Sequence, residues 1–94
     1  MAALPGRFAA ALLPGARLRR AIALAGTDQA RQAFPVLARA AKGGNWEAQY
    51  HVGRAYLHGT GVPPSQADAV LWLERAAEAG MTEAQHLLAT LYVA

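Results

Sequence analysis

Residues 33–56 recur as residues 69–92, thirty-six positions later and without a gap, and ten of the 24 aligned pairs are identical. They include Ala33/Ala69, Leu37/Leu73, Arg39-Ala40-Ala41 against Arg75-Ala76-Ala77, Gly44/Gly80, Glu47-Ala48-Gln49 against Glu83-Ala84-Gln85, and Tyr56/Tyr92. An alanine-rich chain gives roughly two or three such identities by chance, and a period of this length belongs to helical hairpins stacked into an array. Composition agrees. Alanine, the best helix former and a small residue that lets helices approach closely, fills 24 of the 94 positions. Val, Ile and Thr together fill only ten, too few for a sheet protein. The predicted fold is all-α, a solenoid of antiparallel helix pairs with about two repeats of period 36.

Each repeat reads as two helices. One spans about Trp46 to His58, started by Asn45, and its copy runs from about Thr82 to the chain end, with Thr82 and Gln85 spaced as a capping box. The run Gly59-Thr-Gly-Val-Pro-Pro64 cannot continue a helix, because its glycines favour left-handed backbone and its prolines remove donors. Ser65 then caps a second helix, with Asp68 three residues on, that Gly80 ends near residue 79. The matching earlier helix is expected from about Asp28, capped by Thr27, to Lys42. Pro35 conflicts with it, and should kink this helix or move its start towards Ala33. Residues 16–25 read as a further short helix.

Small residues mark the packing faces. Ala69, Leu73, Ala76, Ala77 and Gly80 share one face of the second helix, and Ala48, Val52, Gly53, Ala55 and Tyr56 one face of the first. A glycine inside a helix costs about 1 kcal/mol relative to alanine. Gly53 therefore predicts another helix crossing at close range, with Tyr56 or Trp72 filling the adjacent groove.

The residues Glu47-Ala-Gln-Tyr-His-Val-Gly-Arg-Ala-Tyr-Leu-His-Gly-Thr-Gly-Val-Pro63, followed by Ala69, Trp72, Ala76-Ala77 and Gly80, resemble the Sel-one-like repeat family, a branch of the tetratricopeptide-type helical repeats. The resemblance covers about residues 28–94, behind a basic N-terminal segment at 1–27 with its short capping helix. It implies a right-handed superhelix of antiparallel helix pairs whose first helices line a concave surface for other proteins. The chain departs from the pattern at Pro35 and at Thr27-Asp28, where Val-Pro is expected. The last helix has no following partner within the repeat, so Leu87, Leu88, Leu91, Tyr92 and Val93 are expected to form an apolar patch. Continuation into a longer array, self-association through this helix, or a partner would each cover it.

Charge is uneven along the chain. Residues 1–46 sum to +6 and residues 47–94 to −3, which can steer an acidic partner or a membrane surface to the N-terminal end. No aromatic interleaving or known motif in the basic stretch supports nucleic-acid binding. No apolar run reaches the roughly 20 residues of a membrane span. Arg7 before Phe8-Ala-Ala-Ala-Leu-Leu13 is faintly signal-like, but Arg17, Arg19 and Arg20 follow the apolar run. That order points to the cytoplasm, with a periplasmic or exported location as the alternative.

Catalytic constellations are not evident. The chain has no cysteine, which excludes disulfide frameworks, thiolate catalysis and cysteine-ligated zinc. His51 and His58 lie seven residues apart rather than at ligand spacing, the single serine is a cap, and Gly59-Thr-Gly lacks the lysine of a phosphate loop. No enzyme, cofactor or metal site is expected. The functional candidate is instead a stripe. Glu47, His51, Arg54 and His58 follow one another at spacings of four, three and four, along one helix face. Lining a groove, they would orient a protein or peptide partner on apolar contacts. The alternatives are a membrane-peripheral or anion-binding role for Arg7, Arg17, Arg19 and Arg20, and a regulatory segment of a larger enzyme.

Overall fold

A computed structural model describes residues 15–93, which form five α-helices: α1 (Ala16–Leu24), α2 (Ala30–Lys42), α3 (Trp46–His58), α4 (Gln66–Glu78) and α5 (Thr82–Val93). Each helix packs on its neighbours in the chain, and α1 also touches α3. The result is an all-α solenoid of paired antiparallel helices. The predicted bounds of α3 are met at both ends, and α4 begins and ends where Ser65 and Gly80 placed it.

Local chemistry sets most of the boundaries. Asn45 Oδ1 accepts from the Ala48 amide at 2.8 Å, and Ser65 Oγ accepts from the Asp68 amide at 3.3 Å. Both satisfy amides left without partners at a helix start. Gly59 closes α3 in left-handed backbone, at φ 70°. Gly61, at φ 84°, lies so close to the start of α2 that an added Cβ would sit 2.6 Å from the Ala30 carbonyl oxygen. The loop after α3 is thereby seated against the preceding pair.

Three expected starts and bends differ. α2 begins at Ala30, two residues later than Asp28, because Thr27 Oγ1 accepts from the Gln29 amide and donates to the Leu24 carbonyl, closing α1 instead of opening α2 directly. Pro35 sits in the second turn of an α2 that runs unbroken to Lys42. Its ring is exposed, on the side where a missing amide donor leaves a carbonyl to water. Thr82 is the first helical residue of α5 rather than its cap. The Met81 carbonyl accepts from the Gln85 amide, while the Gln85 side chain reaches the Ala77 carbonyl.

Two buried clusters form the core. Ala21, Ala33, Leu37, Ala41, Ala48, Val52 and Trp72 make one, and Leu73, Ala76, Ala84 and Leu88 the other. Leu37, Leu73 and Val52 are fully buried, each stabilising the fold by about 1.5–3 kcal/mol. The close crossing predicted at Gly53 is present: a Cβ there would lie 2.7 Å from Leu73 Cγ. Trp72 is buried in the first cluster, and half-buried Tyr56 meets Phe34 edge to face at 5.5 Å. The expected apolar patch at the C-terminal end is smaller than anticipated. Leu88 belongs to the core and Leu87 and Leu91 are half-buried, which leaves Tyr92 and Val93 exposed.

Candidate functional site

The four stripe residues ride on α3, whose register is set by the Asn45 cap and by Ala48, Val52 and Ala55 facing the core. Their surroundings differ from one end to the other. Glu47 is ion-paired with Arg19 of α1, so its carboxylate is held by a neighbouring helix. His51 is half-buried and edge-on to Tyr50, with ring centroids 5.3 Å apart. The exposed Arg54 guanidinium stands 5.7 Å from the Tyr50 ring centroid, within cation–π range. His58, in the last turn, is exposed.

His51, Arg54 and His58 converge on one hollow of about 210 Å³ between α1 and α3. Ile22, Ala25, Gly26, Ala55 and Thr60 complete its lining. Glu47 is not part of that lining, so the row divides into a carboxylate committed to Arg19 and three nitrogen-bearing side chains around a partly apolar depression. Burial depresses the pKa of His51 from its ordinary 6.5; Glu47 opposes the shift, while Arg54 and Arg19 add to it. The imidazole is thus favoured as a neutral donor and acceptor near pH 7.

Spacing along one helix could identify the stripe but not the opposite wall. Ile22 lies on α1 and Ala25 caps its C-terminal end, and the contact of α1 with α3 is tertiary. Arg19 is visible in the sequence as one of a basic group, yet nothing there pairs it with Glu47, 28 residues away. Within the basic group, Arg17 and Arg20 line hollows against α2, whereas Arg19 turns to α3. Arg7 lies outside the described residues.

Among the described residues no three His, Asp or Glu side chains gather as a metal site, and no helix is long and apolar enough to cross a membrane.

Comparison with known proteins gives a consistent result. Residues 46–81 match the model of the Sel1 repeat. The chain is also similar to a crystal structure of a Sel1 repeat protein from Oxalobacter formigenes, at 37% identity and a TM-score of 0.68 over 84% of this chain. The matched region spans 24% of that longer protein. No curated protein matches the chain.

Proposed function

We propose that this chain, which is a Sel1-repeat protein of the all-α, tetratricopeptide-like kind, is a non-catalytic module that binds a protein or peptide partner along α1 and α3. The Sel1-repeat fold typically mediates protein–protein interaction. The observation that carries the assignment to this face is the hollow between α1 and α3, where Arg54, His51 and His58 surround an apolar floor containing Ile22 and Ala55. Apolar contact would supply affinity, and the polar rim would set the orientation of the bound segment. Glu47, ion-paired with Arg19 of α1, stands outside the lining of the hollow.

Leu18 and Ile22 of α1 pack against the first core cluster. An interfacial membrane helix needs its apolar face free, so this packing favours the protein-binding reading.

The test is a selection of random peptides on the immobilised 94-residue chain, followed by affinity measurement on Arg54→Glu and His58→Ala. Arg54→Glu is expected to weaken the selected peptides by about tenfold or more while leaving helicity and melting unchanged. Peptides that bind this variant as tightly as the parent chain would place the interaction on another face.

A further inference from the structure

The hollow between α1 and α3 carries one sign of charge. Arg54, His51 and His58 line it together with Thr60, and no Asp or Glu is part of that lining. Glu47, the acidic member of the same helix face, is held by Arg19 and stands outside it. Among the described residues, the ion pair and the side-chain hydrogen bonds engage none of the three nitrogen-bearing side chains. Arg54 stands over the Tyr50 ring, a contact that takes up no hydrogen-bond donor. On the opposite wall Gly26 has no side chain, and no atom lies within 4 Å of where its Cβ would be.

The surroundings have the same sign. α1 carries Arg17, Arg19 and Arg20 and no acidic residue. Beyond Thr60 lies a second hollow whose lining includes both Asp28 and Arg31, so its charges balance. The preference for one sign therefore belongs to the α1–α3 hollow. A guanidinium only donates hydrogen bonds and an ionised carboxylate only accepts them, whereas a basic side chain would find no carboxylate in this lining. Burial sets the lowered His51 pKa, opposed by Glu47 and reinforced by Arg54 of its own helix and Arg19 of α1. α2 and α4, also packed on α3, supply no charge that moves it. A carboxylate seated beside His51 would act against the two arginines.

We infer that the partner segment seated in this hollow is acidic: it presents an Asp or Glu side chain to Arg54, His51 and His58, beside an apolar residue on Ile22 and Ala55. The inference rests on the protein-binding reading of this face and adds the chemistry of the partner. Arg54 supplies the permanent charge and the imidazoles supply further donors, so the carboxylate receives charge-assisted hydrogen bonds. The arginines of α1 draw an acidic segment towards the hollow from a distance.

The test uses peptides selected on the 94-residue chain and synthesised with amidated C-termini, so that side chains hold their only carboxylates. The tightest binder is expected to contain Asp or Glu, and replacing that residue by its amide should weaken binding to the parent chain by about fivefold or more. This comparison changes the peptide alone and cannot disturb the fold. On Arg54→Gln the difference between acid and amide should fall below about twofold, whereas Arg31→Gln, in the balanced hollow, should keep it. At saturation the NMR midpoint of His51 should lie higher with the acidic peptide than with its amide form, since burial by the peptide is common to both. Equal affinity of acid and amide overturns the inference, as does a preference that survives Arg54→Gln, one lost equally on Arg31→Gln, or a His51 midpoint that is the same with both peptides. Selected peptides without Asp or Glu that still lose affinity on Arg54→Glu would overturn the acidic partner and leave the face standing. Peptides indifferent to Arg54→Glu, or a selection that enriches none, would remove the face and the inference together.

Discussion

Gln49 donates its Nε2–H to the Ala41 carbonyl at 3.2 Å, tying the first turn of α3 back to the end of α2. One repeat later Gln85 does the same to Ala77 at 3.1 Å. The recurrence of Glu-Ala-Gln and Ala-Ala along the sequence thus has a shared mechanical basis. The two bonds differ in environment, since Gln49 is buried and Gln85 exposed. Breaking the buried bond should cost about 1–2 kcal/mol and the exposed one roughly 0.5 kcal/mol. For a domain of this size each kcal/mol lowers Tm by roughly 4–8 °C. Thermal melts of Gln49→Ala and Gln85→Ala should separate clearly, and equal losses would mean the buried bond contributes nothing special.

Gly53→Ala reverses the usual benefit of alanine in a helix. The new Cβ would meet Leu73 Cγ at 2.7 Å, Cδ2 at 2.9 Å and the Leu73 backbone nitrogen at 3.2 Å, and Leu73 is fully buried. Overpacking of about 1–3 kcal/mol exceeds the helix-propensity gain of about 1 kcal/mol. Gly26→Ala is the control, because no atom lies within 4 Å of its added Cβ. That variant should be neutral or more stable by up to about 1 kcal/mol. Denaturant titration reads both, and a Gly53→Ala protein more stable than its parent would contradict the close α3–α4 crossing.

His51 should make stability depend on pH in one direction. Burial lowers its pKa below 6.5 in the folded chain, so the unfolded chain binds the proton more readily. The stabilising difference is fully present above about pH 6.5 and is lost as pH falls through the folded value. His51→Gln should therefore flatten the decline of stability on the acid side. Proton NMR of the imidazole gives the direct check: a His51 midpoint at or above 6.5 would show that the ring is not desolvated as described.

The Arg19–Glu47 pair is expected to be weak. Its side chains are 66% and 28% exposed, and partly exposed pairs typically contribute 1 kcal/mol or less, with screening by salt. A double-mutant cycle using Arg19→Ala and Glu47→Ala should give about 0.2–1 kcal/mol at low salt and less at high salt. A coupling well above that range would make the pair a principal anchor of α1.

Much of the architecture follows from short-range features. Thirty-six-residue self-similarity, the Asn45 and Ser65 caps, the Gly59–Pro64 break and the small residues around Gly53 all act within a helix or between adjacent ones, where spacing translates directly into geometry. The stripe Glu47–His51–Arg54–His58 is legible for the same reason. Tertiary packing alone decided what faces it: α1 settles against α3, Arg19 takes Glu47, and Ile22 supplies part of the floor of the hollow. It likewise buried Leu88 in the second core cluster. Each of these depends on which of several available partners lies nearest once the helices are stacked. A period along one chain cannot specify that choice, because it repeats positions and not the neighbours they meet.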